Sequence, residues 1–288
     1  MYLKLLEIAK NDLEAAECLF ERKLYPQAVF SLQQSVEKAI KSYGVFMGVI
    51  SEKEAKEFGH NPLKIYKKMG EMGKKMFEEF SVNIEKVPKL KETEVIEKID
   101  LEKQFKDASY SLDVITHLDQ ECKEVFFIQK DDIDSFIKEI NEIEKEEANI
   151  KNIKIPKKEL NKAKKPITEF LDALYQVNPQ KIEDEKKNLD ELLESDFLKK
   201  AMKETFKTMI DHSYIIVSLF YFSMIMKPHA IVARYPDNLS GLNPLDVYNE
   251  NLPLIESFND LTKIMNKTLS RVDAVIKINN WSKIKGET

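Results

Sequence analysis

The chain has 288 residues, a net charge of −5 and a hydrophobic content of 43%. These values are typical of a folded protein with a substantial core, and they exclude a disordered chain and a protein that is basic over its whole surface. The seven glycines are few for a turn-rich β protein, and the 33% of charged residues suits long amphipathic helices, so we predict an all-α protein.

The first predicted element is a hairpin of two helices. Apolar residues recur at three- and four-residue spacing along residues 3–22 and again along residues 26–49. Pro26 suits the first position of the second helix, because its φ is already restricted and no amide donor is lost there. Since about three residues connect the two helices, we expect them to pack antiparallel.

A third helix is predicted to begin at Pro62 and to run to about residue 80. Asn61 is a good N-cap and Pro62 is a good first residue of a helix. His60 is therefore expected just outside a helix N-terminus, at the edge of the hairpin.

The middle of the chain, residues 86–199, is predicted to be an inserted and highly charged helical module. It has fewer apolar residues than the flanking segments, so residues 1–85 and 200–286 are predicted to form an antiparallel up-and-down helical bundle. Helices within the module are expected at 92–127, 132–148 and 179–194.

Lysines are concentrated between Lys151 and Lys165, where seven of them accompany one acidic residue, Glu159. Such a run can contact phosphates without reading a base sequence. We favour a solvated, mobile linker, because this segment lacks the interleaved aromatic residues on which the bases of a single-stranded nucleic acid stack. Pro156 and Pro166 are each expected to mark a helix start or a break.

The last third of the chain begins with a helix predicted at 196–226. Its most apolar part, Tyr214–Met226, is too short for a bilayer span, so we expect a buried core helix and no membrane contact. A loop rich in turn residues follows at 229–243. The final helix is predicted at 245–284, with a kink at Pro253.

Four short motifs resemble the HEPN family, the helical nucleotide-binding domain of higher eukaryotes and prokaryotes. Residues 9–16 fit the pattern Ala-x-x-Asp-Leu-x-x-Ala, and residues 25–41 contain Gln-Gln-x-x-Glu-Lys-x-x-Lys. Gly59-His60 is similar to the family's histidine at the head of the third helix. Residues 233–237 resemble the Arg-Tyr-Pro-Asp loop before the last helix. The four motifs occur in the order that the family shows.

The resemblance implies an antiparallel helical bundle that commonly forms a homodimer. It also implies a partner such as a nucleotidyltransferase or an antitoxin, within a toxin–antitoxin pair, or a role in RNA cleavage. The matching segments cover about residues 1–80 and 205–284, and residues from about 85 to 200 have no counterpart in the minimal family pattern.

The ribonuclease motif of this family is absent as it is normally written. Ribonuclease members carry an arginine that is followed after four to six residues by a histidine, so that a cation and an acid–base group act on one phosphate. Counting from Arg234, the histidine would fall at Leu239, Ser240 or Gly241. We therefore expect binding without catalysis.

The candidate ligand site consists of residues from two loops that could meet at one end of the bundle. His60, His229 and Arg234 are suited to bind a nucleotide phosphate, and Tyr235 could stack on a base. The structural alternative is that Arg234 pairs with a carboxylate or caps helix carbonyls, while His60 caps a helix or packs against neighbouring side chains.

The polar side of the second helix carries further candidates, Gln34, Glu37, Lys38 and Lys41. They could line a ligand groove. They could equally form a solvated face, or a dimer interface with reciprocal Glu–Lys pairs.

Three functions therefore stay open at this point. We favour a HEPN-like protein that binds nucleotide, RNA or a protein partner. One alternative is a metal-independent endoribonuclease that uses Arg234 with His60, His212 or His229; Lys207 and His212 also have the spacing of a family variant, with lysine in place of arginine. The other alternative is a helical scaffold for protein interactions.

The sequence shows no metal-ligand spacing, no Gly-rich phosphate loop and no nucleophile elbow. We therefore predict neither a metal site nor a bound cofactor. Cys18 and Cys122 are far apart in the sequence, and a reducing cytoplasm is the expected location.

Overall fold

The computed structural model describes residues 1–98, 101–121, 128–152, 156–175, 195–235 and 243–285. All regular secondary structure in these ranges is helical, which confirms the all-α prediction. The helices are α1 (Tyr2–Glu21), α2 (Tyr25–Phe46), α3 (Glu52–Glu57), α4 (Leu63–Glu85), α5 (Pro88–Lys91), α6 (Glu94–Lys98), α7 (Leu101–Glu121), α8 (Lys130–Asn152), α9 (Lys157–Tyr175), α10 (Ser195–Met226), α11 (His229–Val232), α12 (Pro244–Val247), α13 (Pro253–Glu256) and α14 (Phe258–Lys285).

The chain divides into two compact units. The first comprises Met1–Met69, Val114–Lys145 and Ile210–Thr288, and the second comprises Gly70–Asp113 and Glu146–Met209. The changes from one unit to the other fall inside the long helices α4, α7, α8 and α10. The sequence-based boundaries at 85/86 and 199/200 stay a prediction.

The first unit is built on the predicted antiparallel hairpin of α1 and α2. Ser35 Oγ donates to the carbonyl of Ala9 (2.7 Å), and Ser42 Oγ donates to that of Tyr2 (2.8 Å). A later residue of α2 thus contacts an earlier residue of α1, which is the antiparallel arrangement that the short connection predicts.

Helix α14 packs against the same hairpin. The ring of Phe20 stacks on that of Phe258 with 4.3 Å between centroids, and Lys10 forms an ion pair with Asp273 at 2.8 Å. Apolar side chains of α14 and of the facing sides of α1 and α2 are buried together and form much of the core. The buried side chains include Leu13, Leu32, Val36, Phe258, Leu261, Met265, Leu269, Val272 and Ile276.

The prediction of one kinked final helix at 245–284 is wrong. The chain forms α12, a turn, α13 and then α14. In the turn, the Asn249 side chain donates to the carbonyl of Asp246 at 2.9 Å, and Pro253 begins a new helix because it cannot donate a helical hydrogen bond.

The prediction of one helix at 92–127 is also wrong. Two separate helices, α6 and α7, are described in this part of the chain, α5 ends just before it at Lys91, and residues 122–127 lie outside the described ranges. The Thr93 hydroxyl donates to the carbonyl of Leu90 (2.7 Å), and the Thr93 carbonyl accepts from Ile96 and Glu97. Thr93 therefore ends one helix and starts the next.

From residue 157 onward the lysine-rich segment is not a linker, because α9 begins there. The prediction that Pro166 marks a helix start or a break is wrong, since Pro166 lies inside α9. Residues 153–155 and the predicted helix at 179–194 lie outside the described ranges. Side chains on α9 bury a small second core in the second unit, and this apolar packing explains why the segment is helical. That core contains Ile84, Leu90, Ile96 and Ala173, with Val87, Phe170 and Leu174 packed against it.

Within the part of the chain that the structure describes, one helical segment, Lys200–Met226, is long and apolar enough to cross a membrane. Half of its most apolar stretch is buried inside the protein, including Tyr214, Leu219 and Phe222. This burial agrees with the prediction of a core helix.

Candidate functional site

The polar residues of α2 form one connected network. This α2 polar row consists of Gln33, Gln34, Glu37, Lys38 and Lys41. Gln34 Nε2 donates to Gln33 Oε1 (2.7 Å), and Gln33 Nε2 donates to Glu37 Oε2 (3.2 Å). Lys38 Nζ donates to Gln34 Oε1 (2.9 Å) and forms an ion pair with Asp12 of α1 at 2.7 Å. The row therefore ties the two helices of the hairpin together.

Glu37 is the centre of this network. It is only 7% exposed, and its carboxylate accepts hydrogen bonds from Lys41 Nζ (2.7 Å) and from His60 Nδ1 (2.8 Å). Burial alone would raise the pKa of Glu37, but the hydrogen bonds from Lys41, His60 and Gln33 outweigh it, so the pKa lies below its ordinary value. Because Glu37 is buried, the alternative of a fully solvated face does not hold at this residue.

His60 is held in one orientation by its neighbours. Gly59 has a φ of +55°, a conformation that glycine adopts at little cost, and its carbonyl accepts a hydrogen bond from Lys41 at 2.7 Å. Since the ionised Glu37 carboxylate can only accept, Nδ1 of His60 carries the hydrogen in that bond. The side chain is 52% exposed, and among the described residues Nε2 has no hydrogen-bond partner. Nε2 is therefore available to a ligand.

Arg234 lies against another part of α2, and Tyr235 adjoins Arg234. Arg234 Nε donates to the carbonyl of Ala230 at 3.0 Å, while the guanidinium lies 4.9 Å from the centre of the Phe30 ring and 5.1 Å from that of Tyr235. The carbonyl contact is the capping role that the sequence left open. Within the described ranges the two terminal amino groups make no hydrogen bond, and Tyr235 is 58% exposed.

The two groups of residues share one side of α2. Phe30 and Glu37 are seven positions apart, which is close to two helical turns, so they lie on the same side with a rise of about 10 Å between them. The contacts of Arg234 and His60 are thus separated by about that distance along one helix face.

A comparison with protein-family models matches residues 2–150, just over half of the chain, to the HEPN domain. The chain belongs to the HEPN family. Neither the curated proteins nor the solved structures contain a match to it. The resemblance to this family is therefore confirmed, and the matched range contains the first three motifs, the whole α2 polar row and His60. The match differs from the expected coverage, because it continues through residues 85–150 and does not include the fourth motif at residues 233–237.

His229, the third predicted member of the cluster, lies inside the HEPN protein. It is 3% exposed, and its Nδ1 is 2.7 Å from the hydroxyl of Tyr248. Burial lowers its pKa to about 3, so the ring is neutral at physiological pH. The structure thus brings His60 to the α2 polar row and leaves His229 in the core.

His212 is also engaged within the first unit. Its Nδ1 lies 2.5 Å from the hydroxyl of Tyr43, and burial lowers its pKa. Burial also raises the pKa of Tyr43, so the phenol is neutral. The contact with Tyr43 gives His212 a structural role, although Lys207 precedes it at the spacing of a family variant.

Three contributors to the HEPN site are absent from the sequence-based candidate set. Asp12 pairs with Lys38, Gln33 bonds to Glu37, and Phe30 lies under Arg234. Asp12 and Gln33 belong to two of the four motifs that resemble the HEPN family. Membership of these motifs is the sequence signal that could have identified them as site residues. Among the described residues, no group of three or more His, Cys, Asp or Glu side chains is arranged to hold a metal ion.

Proposed function

We propose that this HEPN protein binds single-stranded RNA along the side of α2 that lies between His60 and Arg234, and that it does not cleave it. The observation that carries the proposal is the pair formed by Arg234 and Tyr235. Among the described residues the two amino groups of Arg234 make no hydrogen bond, and the guanidinium lies 5.1 Å from the centre of the exposed Tyr235 ring.

Each group suits one part of a nucleotide. The amino groups of Arg234 can grip a phosphate with two parallel hydrogen bonds, and the Tyr235 ring offers a surface on which a base can stack. At the other end, the Nε2 of His60 can accept a hydrogen bond when the ring is neutral and can donate one to a phosphate when it is protonated.

The length of the site favours a strand over a mononucleotide. The contacts of Arg234 and His60 are about 10 Å apart along α2. Since stacked nucleotides advance about 3.4 Å each along a strand, about three nucleotides span this distance.

The same separation argues against cleavage. A ribonuclease of this kind needs its cation and its acid–base histidine on one phosphate. Here Arg234 lies over Phe30, whereas His60 is bound to Glu37 about two turns along the helix. With their contacts on α2 about 10 Å apart, we do not expect one phosphate to bind both side chains.

Fluorescence anisotropy with a labelled single-stranded RNA at low salt tests the proposal. We expect Arg234→Ala to weaken binding by roughly tenfold, because it removes charge-assisted hydrogen bonds worth about 1.5 kcal/mol or more. Lys263→Ala is the matched control, since it removes one positive charge from an exposed position of α14. Equal weakening by both variants, or no RNA binding at low salt, would contradict the proposal.

Gel analysis of the same RNA tests the absence of catalysis. We expect the RNA to stay intact after prolonged incubation in EDTA. If the RNA is cleaved and His60→Ala stops the cleavage, the binding-only proposal is wrong and the endoribonuclease alternative replaces it.

The homodimer, and a nucleotidyltransferase or antitoxin partner, stay predictions.

A further inference from the structure

The second unit contains an open groove of about 910 Å³ that the proposed RNA site does not use. Its walls come from α4, α5, α6 and α7, and all of them belong to the second unit. The lining residues are Phe77, Glu78, Ser81, Val82, Ile84, Glu85, Lys91, Ile96, Glu97 and Phe105.

The floor of the groove is apolar and firmly supported. Ile84 and Ile96 are 3% and 5% exposed, and they belong to the small core that α9 covers. Phe77 and Phe105 add two aromatic rings. Phe77, Ser81 and Ile84 follow one another at four- and three-residue spacing on α4, so they form a continuous strip about 10 Å long.

The rim of the groove is acidic. Glu78, Glu85 and Glu97 line it together with a single lysine, Lys91, so the lining carries a net charge of about −2. In the described part of the chain none of these three carboxylates forms an ion pair, although neighbouring residues such as Glu79 do. Carboxylates without partners around an apolar floor select a ligand that is both cationic and apolar.

We propose that this groove is a docking site for a basic amphipathic helix of a partner protein. This strip, which is apolar at Phe77 and Ile84 with Ser81 between them, accommodates about two turns of a helix with side chains at three- and four-residue spacing. Lysines or arginines on the flanks of that helix then meet the three glutamates. The same rim repels phosphate backbones and anionic lipids, which excludes nucleic acid and membranes as occupants.

The protein already packs such a helix against the other side of this floor. α9 is rich in lysine in its first half, and Phe170 and Leu174 in its second half pack on the core that contains Ile84 and Ile96. The core beneath the groove therefore already packs against the apolar side of one lysine-rich helix of the chain itself.

Anisotropy with a fluorescein-labelled amphipathic peptide of leucine and lysine, about 14 residues long, tests the proposal on the full chain. We expect Glu78→Lys to weaken binding about fivefold or more at low salt, and added salt to weaken binding to the wild type. Glu79→Lys is the matched control, because it makes the same change at the next residue of α4, which does not line the groove. We expect it to alter binding less than about twofold.

A peptide in which serine replaces every leucine tests the apolar floor without changing the protein, and we expect it not to bind. Equal weakening by Glu78→Lys and Glu79→Lys, or equal binding of the serine peptide, would show diffuse charge attraction and overturn the proposal. Sedimentation of the same variants adds one more test. If Glu78→Lys abolishes self-association of the chain, the occupant is a second copy and the proposal is wrong.

Discussion

His60 and His229 are the two histidines that the sequence placed in one cluster, and the structure gives them opposite environments. Both use Nδ1 for a hydrogen bond, His60 to the Glu37 carboxylate and His229 to the Tyr248 hydroxyl. His60 is half exposed, whereas His229 is buried and its pKa falls to about 3. A histidine held by an ionised carboxylate at the surface can serve a ligand, while a buried one bound to a phenol stabilises the core.

The largest difference between the two histidines is expected in the stability of their alanine variants. His229→Ala removes a buried ring and leaves the Tyr248 hydroxyl without this partner, so we expect it to lower the free energy of unfolding by about 2–4 kcal/mol. His60→Ala removes an exposed side chain and is expected to cost less than about 1 kcal/mol. Urea titration followed by circular dichroism measures both. Equal costs would show that the buried and exposed assignments are mistaken.

The pH dependence of stability gives a second distinction. The unfolded chain protonates His229 below its ordinary pKa of 6.5, but the folded chain does so only near 3. Since the unfolded state then binds more protons, stability falls as pH falls through this window, by about 2 kcal/mol between pH 7 and pH 5 from His229 alone. His212, whose pKa is also lowered by burial, contributes in the same direction.

Urea titrations at several pH values check this slope. His229→Gln keeps a polar side chain but cannot bind the proton, so we expect a clearly shallower dependence of stability on pH between 6.5 and 5 than in the wild type. An unchanged slope in the variant would mean that His229 is not a source of the effect.

A smaller loss of stability is expected from a substitution in the α2 polar row. Glu37→Ala removes the carboxylate that Lys41 and His60 share, and Lys41, 12% exposed, keeps the Gly59 carbonyl. We expect a loss of about 1–2 kcal/mol and weaker RNA binding, because His60 loses its fixed orientation.

Glu57→Ala serves as the control for this substitution. Its carboxylate is 56% exposed and lies 3.7 Å from Lys53, so its loss is expected to cost less than about 0.5 kcal/mol and to leave RNA binding unchanged. If Glu57→Ala impairs RNA binding as much as Glu37→Ala does, the α2 polar row has no specific role in the site.

The predictable part of this protein lies where local pattern and tertiary packing agree. The apolar spacing of α1 and α2 predicted buried stripes that the core confirms, because a helix with one apolar face must cover that face. Within the site, the polar side of the second helix predicted four members of the α2 polar row, and Gln33 was missed. The ends of helices near Thr93 and Pro253 were predicted poorly, since one hydroxyl or one missing amide decides them.

The amino-acid sequence by itself determined the fold class, the hairpin and the membership of the HEPN family, because these follow from periodicity, turn residues and short motifs. The tertiary structure alone decided which histidine reaches solvent, where Arg234 rests, and that an acidic groove opens beside α4. Exposure and charge pairing depend on which distant segments meet, such as the partnership of Glu37 with His60 across 23 positions. No local pattern along the chain contains that information.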